Sequence, residues 1–70
     1  MASQSLIDAV YSYEQYINDN GITEDVIYAM IEAAKTAILT EKDEKYGLEV
    51  SKRAKELINL YVMDLTGGNI

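Results

Sequence analysis

Leu57-Ile58-Asn59-Leu60-Tyr61-Val62-Met63-Asp64-Leu65 reads as the last turns of a helix that begins near residue 47 and runs to about 66. Within that helix Val50, Ala54, Leu57, Tyr61 and Leu65 recur at spacings of three and four, which places them on one apolar face. Ile58 and Val62 widen the face. The opposite stripe begins polar with Glu49, Lys52, Arg53, Glu56 and Asn59, then turns apolar at Leu60 and Met63. A helix end that is apolar nearly all round needs cover on more than one side. In so short a chain that cover is expected from another copy or another protein. Asp64 sits between Met63 and Leu65, near a helix C-terminus, where a carboxylate is unfavourable. It reads either as an exposed last-turn residue or as a contact to a lysine or arginine of a neighbour.

Working outward, the whole chain is 70 residues, enough for one domain. A chain of this size buries only about 60% of its unfolded surface, so it is marginal alone. Small domains commonly add disulfides, a metal or oligomerisation. There are no cysteines and no histidines here. Disulfides and thiolate sites are therefore excluded, and the commonest metal ligand and general base are missing. Oligomerisation, partner binding or an unusually well packed helical core is left. Proline is absent, which suits continuous helices, and all six aromatic residues are tyrosines. Tyrosine combines an apolar ring with a polar tip and suits helix faces at the water boundary.

No apolar run approaches the roughly 20 residues of a membrane span, and the N-terminus has no basic n-region of a signal peptide. A cytoplasmic location is the default expectation. The net charge of −6 is unevenly placed. Residues 1–34 carry Asp8, Glu14, Asp19, Glu24, Asp25 and Glu32 and no cation, whereas residues 35–70 are neutral in sum. Such a chain has no electrostatic basis for holding nucleic acid or an anionic membrane.

Taken in order, Met1 to Gln4 is expected to fray, with Ser3 or Ser5 as the N-cap of a first helix over about 4–18. Leu6, Val10, Tyr13 and Ile17 share one face of it. Asn18-Asp19-Asn20-Gly21 is its stop signal. Thr23 caps a second helix over about 23–40, and Glu24 and Asp25 suit the positive end of its dipole. Val26, Ile27, Met30, Ile31, Ala34, Ala37 and Ile38 give it a broad apolar face. Its small residues Ala29, Ala33, Ala34 and Ala37 allow close approach of a neighbour, so this is the expected central helix. Glu41-Lys42-Asp43-Glu44-Lys45-Tyr46-Gly47 reads as a solvated, partly helical connection, with Gly47 breaking or starting the third helix. A calcium loop fails here: with Gly47 at the sixth position, the first and twelfth ligands would be Lys42 and Arg53. Residues 66–70 read as a stop and a loose end. The expected fold is all-α, a bundle of three helices around a single core.

No glycine-rich phosphate loop is present, and no histidine is available to activate a serine or threonine. The acids sit at helix starts, on exposed faces and in the charged connection, so an enzyme is not expected, and neither is a cofactor or metal.

Thr23 to Ile38, with its acidic start and Ala33-Ala34, resembles the second helix of the small helical head–tail connector proteins of long-tailed bacteriophages. Ala54 to Tyr61 resembles their late helix. The chain departs from them in lacking a Thr-Gly-Arg type turn after the second helix and an arginine after the late tyrosine. The resemblance implies a non-enzymatic subunit of a ring between portal and tail, located in the virion. The residues fit a ring without requiring one. The acidic first half and the Lys52, Arg53 and Lys55 cluster are complementary surfaces on one chain, with Leu60, Met63 and Asp64 at or near the contact. Two alternatives remain open: a small acidic adaptor or inhibitor that docks on a basic protein, and a two-fold dimeric bundle in which Leu60 and Met63 pair across the axis.

Overall fold

The structure, a computed structural model, describes residues 2–67. Three helices follow one another: α1 (Gln4–Asn20), α2 (Glu24–Lys35) and α3 (Glu44–Leu65), with the last turns of α2 continued by a π-helical segment, Thr36–Thr40. The described residues contain no strand. The expected all-α bundle of three helices is the observed fold.

Each helix start follows from a short polar side chain. Ser3 caps α1 by accepting from the Leu6 N–H at 3.3 Å, and Thr23 caps α2 by accepting from Val26 N–H at 3.3 Å. Gly21 closes α1 at φ +86°, its N–H donating to the Ile17 carbonyl. The helix runs through Asn18 and Asp19 to Asn20 before that glycine acts, two residues beyond the expected end. α3 is stopped at Thr66 and Gly67, with Gly67 at φ +71°. The rest of the expected loose end, residues 68–70, lies outside the described residues.

α2 is the central helix. It buries Val26, Ile27, Met30, Ala33 and Ala34 and packs against both neighbours. Facing it on α3 are Val50, Ala54 and Leu57; Met30 and Leu57 are wholly enclosed. Each such side chain contributes about 2 kcal/mol by leaving water. α1 has no fully buried residue. Leu6, Val10, Tyr13 and Ile17 do pack against the core, on the expected face, but stay half-buried.

Two sequence expectations are corrected in the α2–α3 connection. Gly47 neither breaks nor starts α3. The helix begins three residues earlier at Glu44, capped by Asp43, whose Oδ1 accepts from Tyr46 N–H at 3.0 Å. Gly47 lies buried inside the first turn, where a Cβ would overlap Ile38 Cγ1 and stand 3.1 Å from the Ala34 carbonyl oxygen. The glycine is there for close helix contact. Ile38 is delivered to it by the π-helical widening, seen in Glu41 N–H donating to the Thr36 carbonyl at 3.0 Å. The chain then reverses through Lys42 at φ +56°.

The second correction concerns the N-terminal residues. Ala2 and Ser3, expected to fray, are tied down. Ala2 N–H donates to Asp43 Oδ2 at 2.6 Å; Ser3 N–H and Oγ–H donate to the Glu41 carboxylate at 2.6 and 2.7 Å. The charged connection is thus a clamp holding the start of α1 beside the start of α3. The Asp43 carboxyl lies below its ordinary value, first because it accepts from Tyr46 N–H and second because it accepts from Ala2 N–H.

Candidate functional site

The helices differ in length, and this, together with apolar residues on the outer stripe of α3, makes the candidate surface. α2 with its π-helical extension spans 17 residues, about 25 Å; α3 spans 22, about 33 Å. The two start from a common turn, so the end of α3 outruns its partner, and the molecule is drawn out to 40 × 22 × 14 Å. Beyond Leu57 the helix has a single half-buried apolar residue, Tyr61. Ile58, Leu60, Val62, Met63 and Leu65 are all exposed: five large apolar side chains within eight residues. Elsewhere Ile7, Tyr11, Tyr16, Tyr28, Leu39 and Leu48 are exposed but spread over different elements, which is ordinary for a protein surface.

The six residues singled out from the sequence separate into three groups. Leu60, Met63 and Asp64 do come together, lining a shallow hollow of about 400 Å³ with Gly67. Arg53 is turned inward to α1. Its Nε and Nη2 donate to Glu14 at 2.8 and 3.1 Å, and Glu56 lies 3.6 Å from Nη1. The Glu14 hydrogen bond raises the Arg53 pKa further above its ordinary value. Lys52 and Lys55 are exposed, and neither belongs to an ion pair among the described residues. Helical spacing puts Lys52 on the stripe that reaches Met63 three turns on, and Lys55 on the stripe of Val62. The lysines and the arginine thus do not form one patch.

A second apolar feature was not anticipated from the sequence. α1 and α2 leave a furrow between them of about 450 Å³, lined by Ser12, Tyr13 and Tyr16 from α1 and Asp25, Val26 and Ala29 from α2, with Thr23 at its end. It exists because Ser12 and Ala29 are small. The alanines of α2 and its π-helical extension behave in two ways: Ala33, Ala34 and Ala37 are buried by close packing, whereas Ala29 stays partly open. The available signal was the Ser12 and Ala29 pair, which only the pairing of the helices brings to one groove.

Among the described residues no polar or charged residue is buried, no cluster of acids could hold a metal, and no helix is long and apolar enough to cross a membrane. No protein-family model matches the chain, and neither does a curated protein or a solved structure.

Proposed function

We propose that this chain is a non-enzymatic structural protein that works by self-association through the projecting end of α3. The observation that carries the reading is the uncovered run of Ile58, Leu60, Val62, Met63 and Leu65 on a helix that outlasts its bundle. Covering it would remove apolar surface from water, which is the main driving term in association. The non-enzymatic part rests on the absence of histidine and cysteine and on acids that sit in water rather than in a desolvated pocket. A second copy is the favoured occupant because an acidic half and a half that is neutral in sum lie in one chain: every unit of the net charge lies in residues 1–34, and Lys52 and Lys55 of α3 are exposed and outside the ion pairs among the described residues. The specific form that the family resemblance implies is a ring subunit of a phage head–tail connector.

A second reading is favoured by the acidic first half alone: an adaptor or inhibitor docking on a basic protein, with strongly salt-dependent binding. Absolute mass in solution, measured by light scattering behind a sizing column at low and high salt, separates the two. Self-association gives a mass above the 7.8 kDa of one chain that rises with concentration. A single-chain mass at every concentration overturns the proposal and leaves the adaptor.

A further inference from the structure

We infer that α1 is a latched helix, which acid releases from an α2–α3 hairpin that stays packed. The inference does not depend on self-association. It rests on two kinds of contact that hold different parts of the molecule. α2 and α3 hold each other by apolar burial, with Met30, Ala34, Val50, Ala54 and Leu57 at the centre, and among the described residues no side-chain hydrogen bond or ion pair runs between them. α1 has no fully buried residue. Its long-range ties are polar instead. Among the described residues the hydrogen bonds between positions 38 to 41 apart all fasten α1, or the two residues before it, to the rest, and every one uses a carboxylate. Asp43 and Glu41 hold the start of α1 by Ala2 and Ser3; Glu14 holds its middle to Arg53. A carboxylate accepts such bonds more strongly as an ion than once protonated. Acid therefore weakens all three ties together and leaves the apolar α2–α3 contact untouched.

The neighbouring groups do not reverse this. Lys45 and Tyr46 stand by Asp43, and residues of these types keep their protons between pH 7 and pH 3. Tyr46 and Glu49 share a hollow with Glu14 and Arg53, where α2 contributes only Met30. Glu56 pairs with Arg53 inside α3, and Glu49 makes no hydrogen bond among the described residues, so neither fastens α1. The sign follows. The Asp43 value is lowered first by Tyr46 N–H and then by Ala2 N–H, so its tie is complete above the ordinary carboxylate value, about 4, and is lost as pH falls through the lower folded value.

Amide hydrogen exchange by NMR on dilute protein, with rates corrected for the intrinsic effect of pH, tests the release. Between pH 7 and pH 3 the protection of Val10, Tyr13 and Ile17 in α1 is expected to fall about tenfold, from three exposed ties lost together. Protection of Met30, Val50 and Leu57 is expected to stay within about twofold, as local opening of α1 alone requires. Glu14→Gln, Glu41→Gln and Asp43→Asn combined replace the three carboxylates by neutral amides. This variant is expected to show the low α1 protection already at pH 7 and to lose the pH dependence. Glu32→Gln, Glu49→Gln and Glu56→Gln combined remove the same charge without touching a tie, and this variant is expected to respond to acid as the parent does. If α1 and the hairpin lose protection together, or α1 keeps its protection at pH 3, the latch is overturned. The same holds if the second variant loses the acid response, since net charge rather than the three ties would then control α1. The parent profile alone decides the first two outcomes, so the test stands even if the first variant does not fold.

Discussion

From Gly47 to Leu57, α3 buries Val50, Ala54 and Leu57 against α2; from Ile58 to Leu65 it leaves five large apolar side chains in water. Leu57 is 0% exposed and Leu65 is 69% exposed, though both fall on the face marked by the same three-and-four spacing. Chemistry does not distinguish these halves. Between Leu57 and Leu65 the difference is how far α2 reaches, whereas Leu60 and Met63 are uncovered because they lie on the stripe turned away from it. An apolar stripe therefore reports the capacity for burial, and the length of the neighbouring helix decides where within one chain that capacity is used. The unused part is what a second chain can cover.

The largest expected effect tests that contrast directly. Leu57→Ala should cost about 3 kcal/mol of unfolding free energy, because it opens a cavity in an enclosed site. In dilute, monomeric protein Leu60→Ala and Leu65→Ala should each stay within about 0.5 kcal/mol. Urea titrations of the three variants decide it; similar losses at positions 57 and 65 would mean that the end of α3 is covered within its own chain.

Next is the tight start of the buried half. Gly47→Ala improves helix propensity by about 1 kcal/mol, yet the added Cβ meets Ile38 Cγ1 and the Ala34 carbonyl. Overpacking of this kind costs about 1–3 kcal/mol, so the net change should be destabilising. Adding Ile38→Ala should cost less in the Gly47→Ala background than in the parent, as a double-mutant cycle in urea would show. If Gly47→Ala stabilises the protein, the close α2–α3 approach is not the reason for the glycine.

A smaller effect belongs to the Glu14–Arg53 pair, which ties α1 to the buried half of α3. Both side chains are about one-third exposed, so Glu14→Gln should cost only about 0.5–1 kcal/mol. Arg53→Gln in that background should add little, and high salt should shrink the difference.

The smallest effect is local and pH-dependent. The Asp43 value is depressed in the folded chain, so its contribution is complete above the ordinary carboxylate value and is lost as pH falls through the lower folded value. Below about pH 4, amide exchange at Tyr46 and Ala2 should quicken while that at Leu57 is unchanged. Asp43→Asn should keep the cap on α3 but remove this pH response. An unchanged acid response in that variant would show that another group is responsible.

Much of this was legible in the sequence. Spacing placed Leu6, Val10, Tyr13 and Ile17 of α1, the buried positions of α2 and Val50, Ala54 and Leu57 of α3 on their faces, because a helix repeats every 3.6 residues whatever it packs against. Ser3 and Thr23 announced helix starts by local hydrogen bonding alone. Gly47 was misread because glycine in sequence signals backbone freedom, whereas here it answers to Ile38 across the turn. Ala2 and Ser3 were misread because their partners, Asp43 and Glu41, are some forty residues away. Of the proposed interface, the Leu60, Met63 and Asp64 grouping followed from one helix surface, while the engagement of Arg53 by Glu14 needed the position of α1.

What the sequence determined by itself is therefore local or periodic: three helices, the caps of the first two, their apolar faces, and the placement of the entire net charge in the first 34 residues. The tertiary structure decided what depends on distance between elements: the π-helical seat of Ile38 on Gly47, the clamp on the N-terminal residues, the furrow between Ser12 and Ala29, and the point along α3 at which burial ends. The physical reason is that hydrogen-bonded caps and helical period act within a few residues, whereas burial depends on which helix lies alongside and how far it reaches.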